Sequence, residues 1–358
     1  MLSLAHPSIA KILRDYDPQK ITIAAYCSHS SLQIFHGARK EGFRTLGICV
    51  GKAPKFYDAF PLAKPDAFMP LRDHPELAEK SDELVRQNAV IIPHGSLVEY
   101  LGVDKFEHMP VATFGNRRVL RWESDRAISR KWLEGAGIQM PREIRDPKDI
   151  IQPVIVKYNG AKGGRGFFIA KTYHEFQRHV DATRPYTIQE FVLGTRYYLH
   201  YFYSPLKQDG YKLSKGSLEL LSTDRRDESN IDESSRLGSI AELEEVGIKP
   251  TFVVTGNIPM VIRESLLPEA LSMGERVVEK SLELFGGLIG PFCLETVVTD
   301  QLEFKVFEIS ARIVAGTNPF ISGSPYSDFV EPNLSTGRRI AKEIKLAREL
   351  NRLPDVLS

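Results

Sequence analysis

Residues 154–170 read V-I-V-K-Y-N-G-A-K-G-G-R-G-F-F-I-A, two apolar runs joined by a loop of glycines and cations. Lys157 ends the first run; Gly160, Gly163, Gly164 and Gly166 interrupt the loop, and Lys162 and Arg165 stand between them. Glycines let backbone N–H groups approach an anion and reach positive φ without strain, so this spacing fits a hairpin laid over phosphates. It is not a P-loop, because no Gly-Lys-Ser/Thr closes it, nor a dinucleotide fingerprint, because a strand follows rather than a helix. A solvated surface hairpin is the simpler alternative.

Further along, 291–298 is an apolar strand with Glu295 in its middle, and 302–309 returns after the Asp300-Gln301 turn with Glu308 between Phe307 and Ile309. A carboxylate in such company is costly to bury unless it is paired or bound to metal. Two acids on hairpin-related strands can face one another and hold Mg²⁺ through oxygen. Glu308, Ser310 and Arg312 alternate onto one face, where an arginine can neutralise charge on a transferring phosphoryl group. The competing reading is a structural Glu295–Arg312 salt bridge.

Two loops nearer the N-terminus carry the remaining chemistry, Ser28-His29-Ser30-Ser31 and His94-Gly95-Ser96. Each opens a helix, whose free N–H groups favour an anion such as a phosphate. The serines also serve simply as helix caps, and the histidines can be satisfied within their turns.

The elements that must position these groups follow from periodicity. Strands at 21–27, 45–50, 67–69 and 89–93 alternate with helices at 32–41, 82–87 and 97–101. That is βαβ grammar for an open parallel sheet, with ligands beyond the carboxyl ends of its strands. A helix over 124–134 with Ser124 as its N-cap, a short helix over 173–181 and strands at 186–192, 197–203 and 212–221 come next. Residues 222–233 read as a polar loop, 256–259 as a turn, and 266–284 and 333–352 as helices.

With 358 residues, 42% apolar and 26% charged, the chain has the composition of a soluble globular protein of two or three packed units. A net charge of +1 gives no global pull toward nucleic acid or acidic membrane, so any phosphate binding is local. Three widely spaced cysteines suggest neither a disulfide framework nor a zinc site. No stretch approaches the ~20 apolar residues that span a bilayer, and the N-terminus lacks a signal-like apolar segment, so a cytoplasmic protein is expected.

Taken in order, Lys157…Gly166, then Gln189-Glu190-Phe191-Val192, then Glu295…Glu308-x-x-x-Arg312 resemble the ATP-grasp superfamily. The resemblance implies an α/β fold, α+β in its C-terminal part. A Rossmann-like pre-ATP-grasp domain would span 1–122, a lid subdomain with the glycine hairpin 123–192, and a C-terminal subdomain with metal-binding acids 193–358. Ser310 stands where that pattern usually has Asn. More narrowly, S-H-S-S-L-Q-I (28–34), I-P-H-G-S (92–96), F-G-N-R (114–117), H-Y-F-Y-S-P (200–205), D-R-R-D-E-S-N (224–230) and E-I-S-A-R-I-V-A-G-T-N-P-F (308–320) resemble the archaeal-type, formate-dependent FAICAR synthetases.

That resemblance implies ATP-dependent formylation of the amine AICAR to FAICAR through formyl phosphate, in purine (IMP) biosynthesis. Carried over by motif, His29, Ser96 and Asn257 contact AICAR. Lys157, Gly160, Lys162, Gly163, Gly164, Arg165, Gly166, Glu190, Val192 and Glu228 contact ATP. Glu295 and Glu308 hold Mg²⁺ or Mn²⁺, and Glu308 and Arg312 are catalytic. The expected partners are ATP, formate and AICAR, with no nucleic acid or membrane, and a homo-oligomer is expected. The alternative is an ATP-grasp ligase joining a different carboxylate or amine.

Overall fold

A computed structural model describes residues 8–158, 166–229, 231–232 and 251–358. The elements named here are numbered among those residues. Three sheets organise the chain. The first is parallel, ordered β3–β2–β1–β4, from β1 (Thr22–Tyr26), β2 (Arg44–Val50), β3 (Ala67–Leu71) and β4 (Ala89–Ile91). Every residue of β1 is buried, because helices cover both faces of a parallel sheet. Helices α1 (Ser31–Lys40) and α2 (Ser81–Arg86) lie in crossovers between these strands, and α3 (Gly95–Leu101) follows β4.

Next come two consecutive helices, α4 (Val119–Ser124) and α5 (Arg126–Gly135). Asp125, not Ser124, caps the second, accepting from the N–H groups of Ala127 and Ile128. Ser124 instead ends α4. The smaller second sheet is antiparallel and ordered β5–β8–β6–β7, from β5 (Glu143–Ile144), β6 (Val154–Tyr158), β7 (Phe167–Ala170) and β8 (Tyr186–Glu190), with α6 (Tyr173–His179) packed on it.

The third sheet follows the order β10–β11–β9–β13–β14, with β12 also paired to β11. It comprises β9 (Thr195–Ser204), β10 (Tyr211–Lys212), β11 (Ser217–Glu228), β12 (Val254–Met260), β13 (Gly290–Val298) and β14 (Phe304–Ser310). One face is apolar and receives α7 (Leu267–Phe285), whose Ala270, Met273, Val277 and Val278 join Tyr201, Leu218 and Phe292 in the main core. Trp132 Nε1 of α5 donates to Val277 O at 3.0 Å and locks that helix beneath the sheet.

Two sequence expectations fail here for one reason. Residues 222–228 are not a loop but the second half of β11, and 256–259 are not a turn but part of β12. The expected strand over 212–221 accordingly splits into β10 and the start of β11. Polar residues occupy these strands because the face they line is a cleft rather than a core. Composition that signals a loop on an ordinary sheet here signals a site.

The last helix, α8 (Thr336–Glu349), begins at Ser335, whose hydroxyl accepts from Arg338 N–H at 3.1 Å. It packs on α1 through two glycines: a Cβ on Gly37 would overlap the Arg338 backbone, and one on Gly337 would overlap Gln33 O. Residues 334–357 thereby share a core with the first sheet, through Ile340, Ile344 and Ala347 against Ile34, Phe35 and Ala38. Substituting Gly37 by Ala forces these backbones apart. Denaturant unfolding should show a loss of about 2 kcal/mol or more, as for other overpacked cores; a loss below about 0.5 kcal/mol would contradict this close crossing.

Candidate active site

Across the third sheet, one face collects polar and charged side chains in register. Asn257 pairs with Arg226, Asp224 with Tyr198, Tyr198 with Glu295, and Glu295 with Glu308. Paired residues project to the same face, and Asp224 and Arg226, two apart, share it as well. Four strand spacings, roughly 19 Å, separate β12 from β14.

Glu295 and Glu308 are therefore directly opposed, as their hairpin spacing predicts. Glu295 is buried and accepts from Arg226 Nη2 at 2.7 Å and Ser310 Oγ at 3.3 Å. Glu308 is exposed to solvent, yet protein crowds its carboxylate. Burial, then the Glu295 charge, raise its pKa to about 7, against the pull of Arg226 and Lys157. Lys157, at the end of β6, lies with its ammonium 5.5 Å from the Phe307 ring centroid. Its burial lowers its pKa, and the Glu308 charge opposes that fall. Burial likewise disfavours the Arg226 charge, yet Glu295 outweighs it and holds the guanidinium firmly protonated. Arg226 also stacks on Tyr198, 3.9 Å from the ring centroid.

Glu295 does not pair with Arg312. That arginine instead meets Glu123 of α4, Nη2 to Oε1 at 2.9 Å, while the other oxygen of Glu123 accepts from Ala311 N–H at 2.9 Å. Arg312 is thus aimed from behind, with its buried Nε left without a partner. It reaches the first sheet at Gly95, where a Cβ would sit 3.0 Å from His29 Nε2 and 3.5 Å from Arg312 Cζ.

His29 follows β1 with φ of 55°, a left-handed conformation uncommon outside glycine and found more often at functional sites. Its ring stacks on that of His94, with centroids 5.3 Å apart and planes 5° from parallel. His94 Nε2 donates to Tyr26 O at 3.1 Å, leaving Nδ1 as a buried acceptor with no partner. Burial lowers the pKa of His29 to about 3 and that of His94 to about 4, and the Arg312 charge adds to both shifts. Ser96 is buried in the first turn of α3.

The loop is held from the C-terminal side. Asn318 Nδ2 donates to His29 O at 3.2 Å, and Gln33 of α1 donates to Thr317 Oγ1 at 2.6 Å and Asn318 Oδ1 at 2.8 Å. The structure thus brings Lys157, Asn257, Glu295 and Glu308 into relation with the third sheet's polar face, and His29, Ser96 and Arg312 to the edge of the first. Glu228 ends β11 and pairs with Arg196 at 2.5 Å. Glu190 ends β8 with its carboxylate 4.0 Å from Arg142 Nε, and Val192 follows, half-buried. Gly166 has φ of 74° and closes the hairpin by accepting from Tyr158 N–H at 3.0 Å. Gly160, Lys162, Gly163, Gly164 and Arg165 lie outside the described residues.

Sequence reasoning missed Arg226, Asp224, His200, Glu123 and Gln33 as site components. All but Glu123 fall within the motifs given above, and for Arg226, Asp224 and His200 the signal was polarity alternating in what are strands. Glu123 carried no comparable signal, because its role depends on where α4 docks.

Could the two acids hold a divalent cation? Among the described residues no cluster of three or more His, Cys, Asp or Glu forms a ready metal cage. Two opposed carboxylates fit Mg²⁺ arriving with a nucleotide, since that ion keeps waters and takes one or two carboxylates plus substrate phosphates.

Comparison with solved structures defines the class. The N5-carboxyaminoimidazole ribonucleotide synthetase of Thermotoga maritima superposes with a TM-score of 0.58, covering 91% of this chain and 76% of that one, at 16% identity. A biotin carboxylase domain from Hydrogenobacter thermophilus, solved with MgADP and bicarbonate, gives 0.59 at 14% identity, covering 89% and 69%. The fold is that of the ATP-grasp enzymes. An IMP biosynthesis protein PurP from Thermococcus kodakaraensis is nearer, with a TM-score of 0.74 at 32% identity, covering 94% of this chain and all of that one. The 5-formaminoimidazole-4-carboxamide-1-(beta)-D-ribofuranosyl 5'-monophosphate synthetase of Methanosarcina barkeri is 65% identical over 350 residues, 98% of each chain. That of Pyrococcus abyssi is 50% identical, covering 94% of this chain and 98% of its own. Residues 23–144 match a family model described as a protein of unknown function (DUF1246), and residues 177–358 one described as a domain of unknown function (DUF1297). The chain belongs to this family of formaminoimidazole-carboxamide ribonucleotide synthetases.

Two outcomes follow from the geometry. Glu308→Gln keeps the shape of β14 but removes one of two opposed acids; turnover should fall by at least about 100-fold with circular dichroism unchanged. Near-normal turnover would remove Glu308 from the site. His94 is buried with a lowered pKa, so the unfolded state binds its proton first as pH falls. The contribution of neutral His94 to stability should be complete above about pH 6.5 and be lost toward about pH 4. Denaturant midpoints over that range should fall less steeply for His94→Gln; an unchanged slope would contradict the burial argument.

Proposed function

We propose that the chain catalyses ATP- and formate-dependent formylation of AICAR, giving FAICAR, ADP and phosphate. The observation that carries this is the approach of His29 and Arg312 at Gly95, because Arg312 lies two residues beyond Ser310, which bonds Glu295. One short stretch of chain, 308–312, connects the acid pair to the first sheet's ligand edge.

In this reading a formate oxygen attacks the γ-phosphorus of ATP, ADP leaves, and the amine of AICAR then attacks the formyl carbon, expelling phosphate. Glu295 and Glu308 would hold Mg²⁺ or Mn²⁺ together with ATP, and that ion would neutralise phosphate charge. Lys157 and the hairpin through Gly166 grip the phosphates, while Glu190, Val192 and Glu228 bound the rest of the nucleotide. His29, Ser96 and Asn257 hold AICAR. Arg312, kept in place by Glu123, steadies the acyl phosphate. The amine is a weak nucleophile, so orientation within the cleft supplies much of the rate.

No covalent enzyme intermediate is needed, and the cysteines are unsuited to one. Burial raises Cys27 to about 12 and lifts Cys293 well above its usual thiol range. ADP release should require formate and AICAR together, with FAICAR formed in equal amount. Release indifferent to either substrate would overturn the assignment and point to another carboxylate or amine.

A further inference from the structure

Asp224 lies fully buried on the polar face of β11. Its Oδ1 accepts from His200 Nε2 at 2.7 Å and its Oδ2 from Asn257 Nδ2 at 2.8 Å. A Cβ on Gly316 would overlap the same carboxylate, so Asp224 is seated against a bare backbone. Three elements therefore hold it: β9 through His200, β12 through Asn257, and the 315–317 turn.

The arrangement settles which way the Asn257 amide points. A carboxylate only accepts, so the amide nitrogen must face Asp224 and Oδ1 must face away from it. His200 is oriented by the same logic. Its Nδ1 is buried with no partner, so the ring proton lies on Nε2, where Asp224 receives it. Asn257 is half-buried and sits across from Arg226 on the cleft face.

We propose that Asp224 is a positioning residue: held by His200 and Gly316, it presents Asn257 Oδ1 to the cleft as an acceptor for an N–H of the amine substrate. This rests on the reading of Asn257 as an AICAR contact. The ligand chemistry is an aromatic amine or primary carboxamide, either of which donates. A compound offering only acceptors at that point would leave Oδ1 unpaired and bind more weakly.

A double-mutant cycle tests the relay. In Asp224→Asn, the new amide keeps its oxygen toward His200 and turns its nitrogen toward position 257. Asn257 must then rotate to accept and offer its own NH₂ to the substrate. The KM for AICAR should rise about ten-fold or more, with the KM values for ATP and formate within about two-fold of wild type. Asn257→Asp alone sets two carboxylates face to face and should also raise that KM. Combining the substitutions lets the amide at position 224 donate to the carboxylate at position 257, which again shows an acceptor oxygen to the cleft. The double variant should recover to within about three-fold of the wild-type KM for AICAR.

Melting temperature is recorded for each variant, and AICAR affinity is measured separately by calorimetry. Loss of melting temperature without a change in AICAR affinity overturns the proposal, because the triad would then be structural. Equal loss toward all three substrates, or no recovery in the double variant, overturns it too. Wild-type turnover in the same assay separates failure of the reaction from failure of the relay.

Discussion

Opposed carboxylates on neighbouring strands repel, and much of the molecule answers the charge that Glu295 and Glu308 bring together on β13 and β14. Arg226 meets Glu295 from β11, and Lys157 places its ammonium near them from the second sheet. Even so, crowding by protein and the Glu295 charge push the Glu308 pKa above the usual carboxylate range. A bound divalent cation would offset the charge of the two acids more fully than Arg226 and Lys157 do alone. The free protein tolerates the pair because one side of the cleft remains open to water.

The second consequence concerns distance. A sheet is a ruler of nearly fixed spacing, and its polar face runs from Asn257 on β12 to Glu308 on β14. In the proposed reading, His29 and Ser96 share a substrate with this ruler only if the first sheet is held against it. Two features do so. The glycine crossing of α1 and α8 brings backbones together, and Gln33 bonds the 317–318 segment that in turn anchors His29. Neither touches the chemistry, yet both set where the amine would stand relative to the acyl phosphate.

Much of this was legible in the sequence. The βαβ alternation, the hairpin spacing of 154–170 and the lone acids within apolar strands each express a local rule, and local rules survive folding. The face-to-face pairing of Glu295 with Glu308 needed only strand periodicity and a short turn. What failed was the polar stretch 222–228 and the turn at 256–259, where outward polarity was assumed of residues that line a cleft. Partners set by docking were not legible either. Arg312 pairs with Glu123 rather than Glu295 because α4 comes to rest behind it, a fact of tertiary packing that no spacing encodes. The expected division at 122 and 192 rested on family resemblance rather than on periodicity.

The central claim is that formate is activated by phosphoryl transfer from ATP before the amine attacks. Formate labelled with ¹⁸O at both oxygens tests it most directly. If formyl phosphate forms and the amine displaces phosphate, one formate oxygen must leave with the phosphorus. Mass spectrometry of the product should then show one ¹⁸O in each inorganic phosphate and one in the formyl group of FAICAR. Unlabelled phosphate accompanying labelled FAICAR would contradict the account.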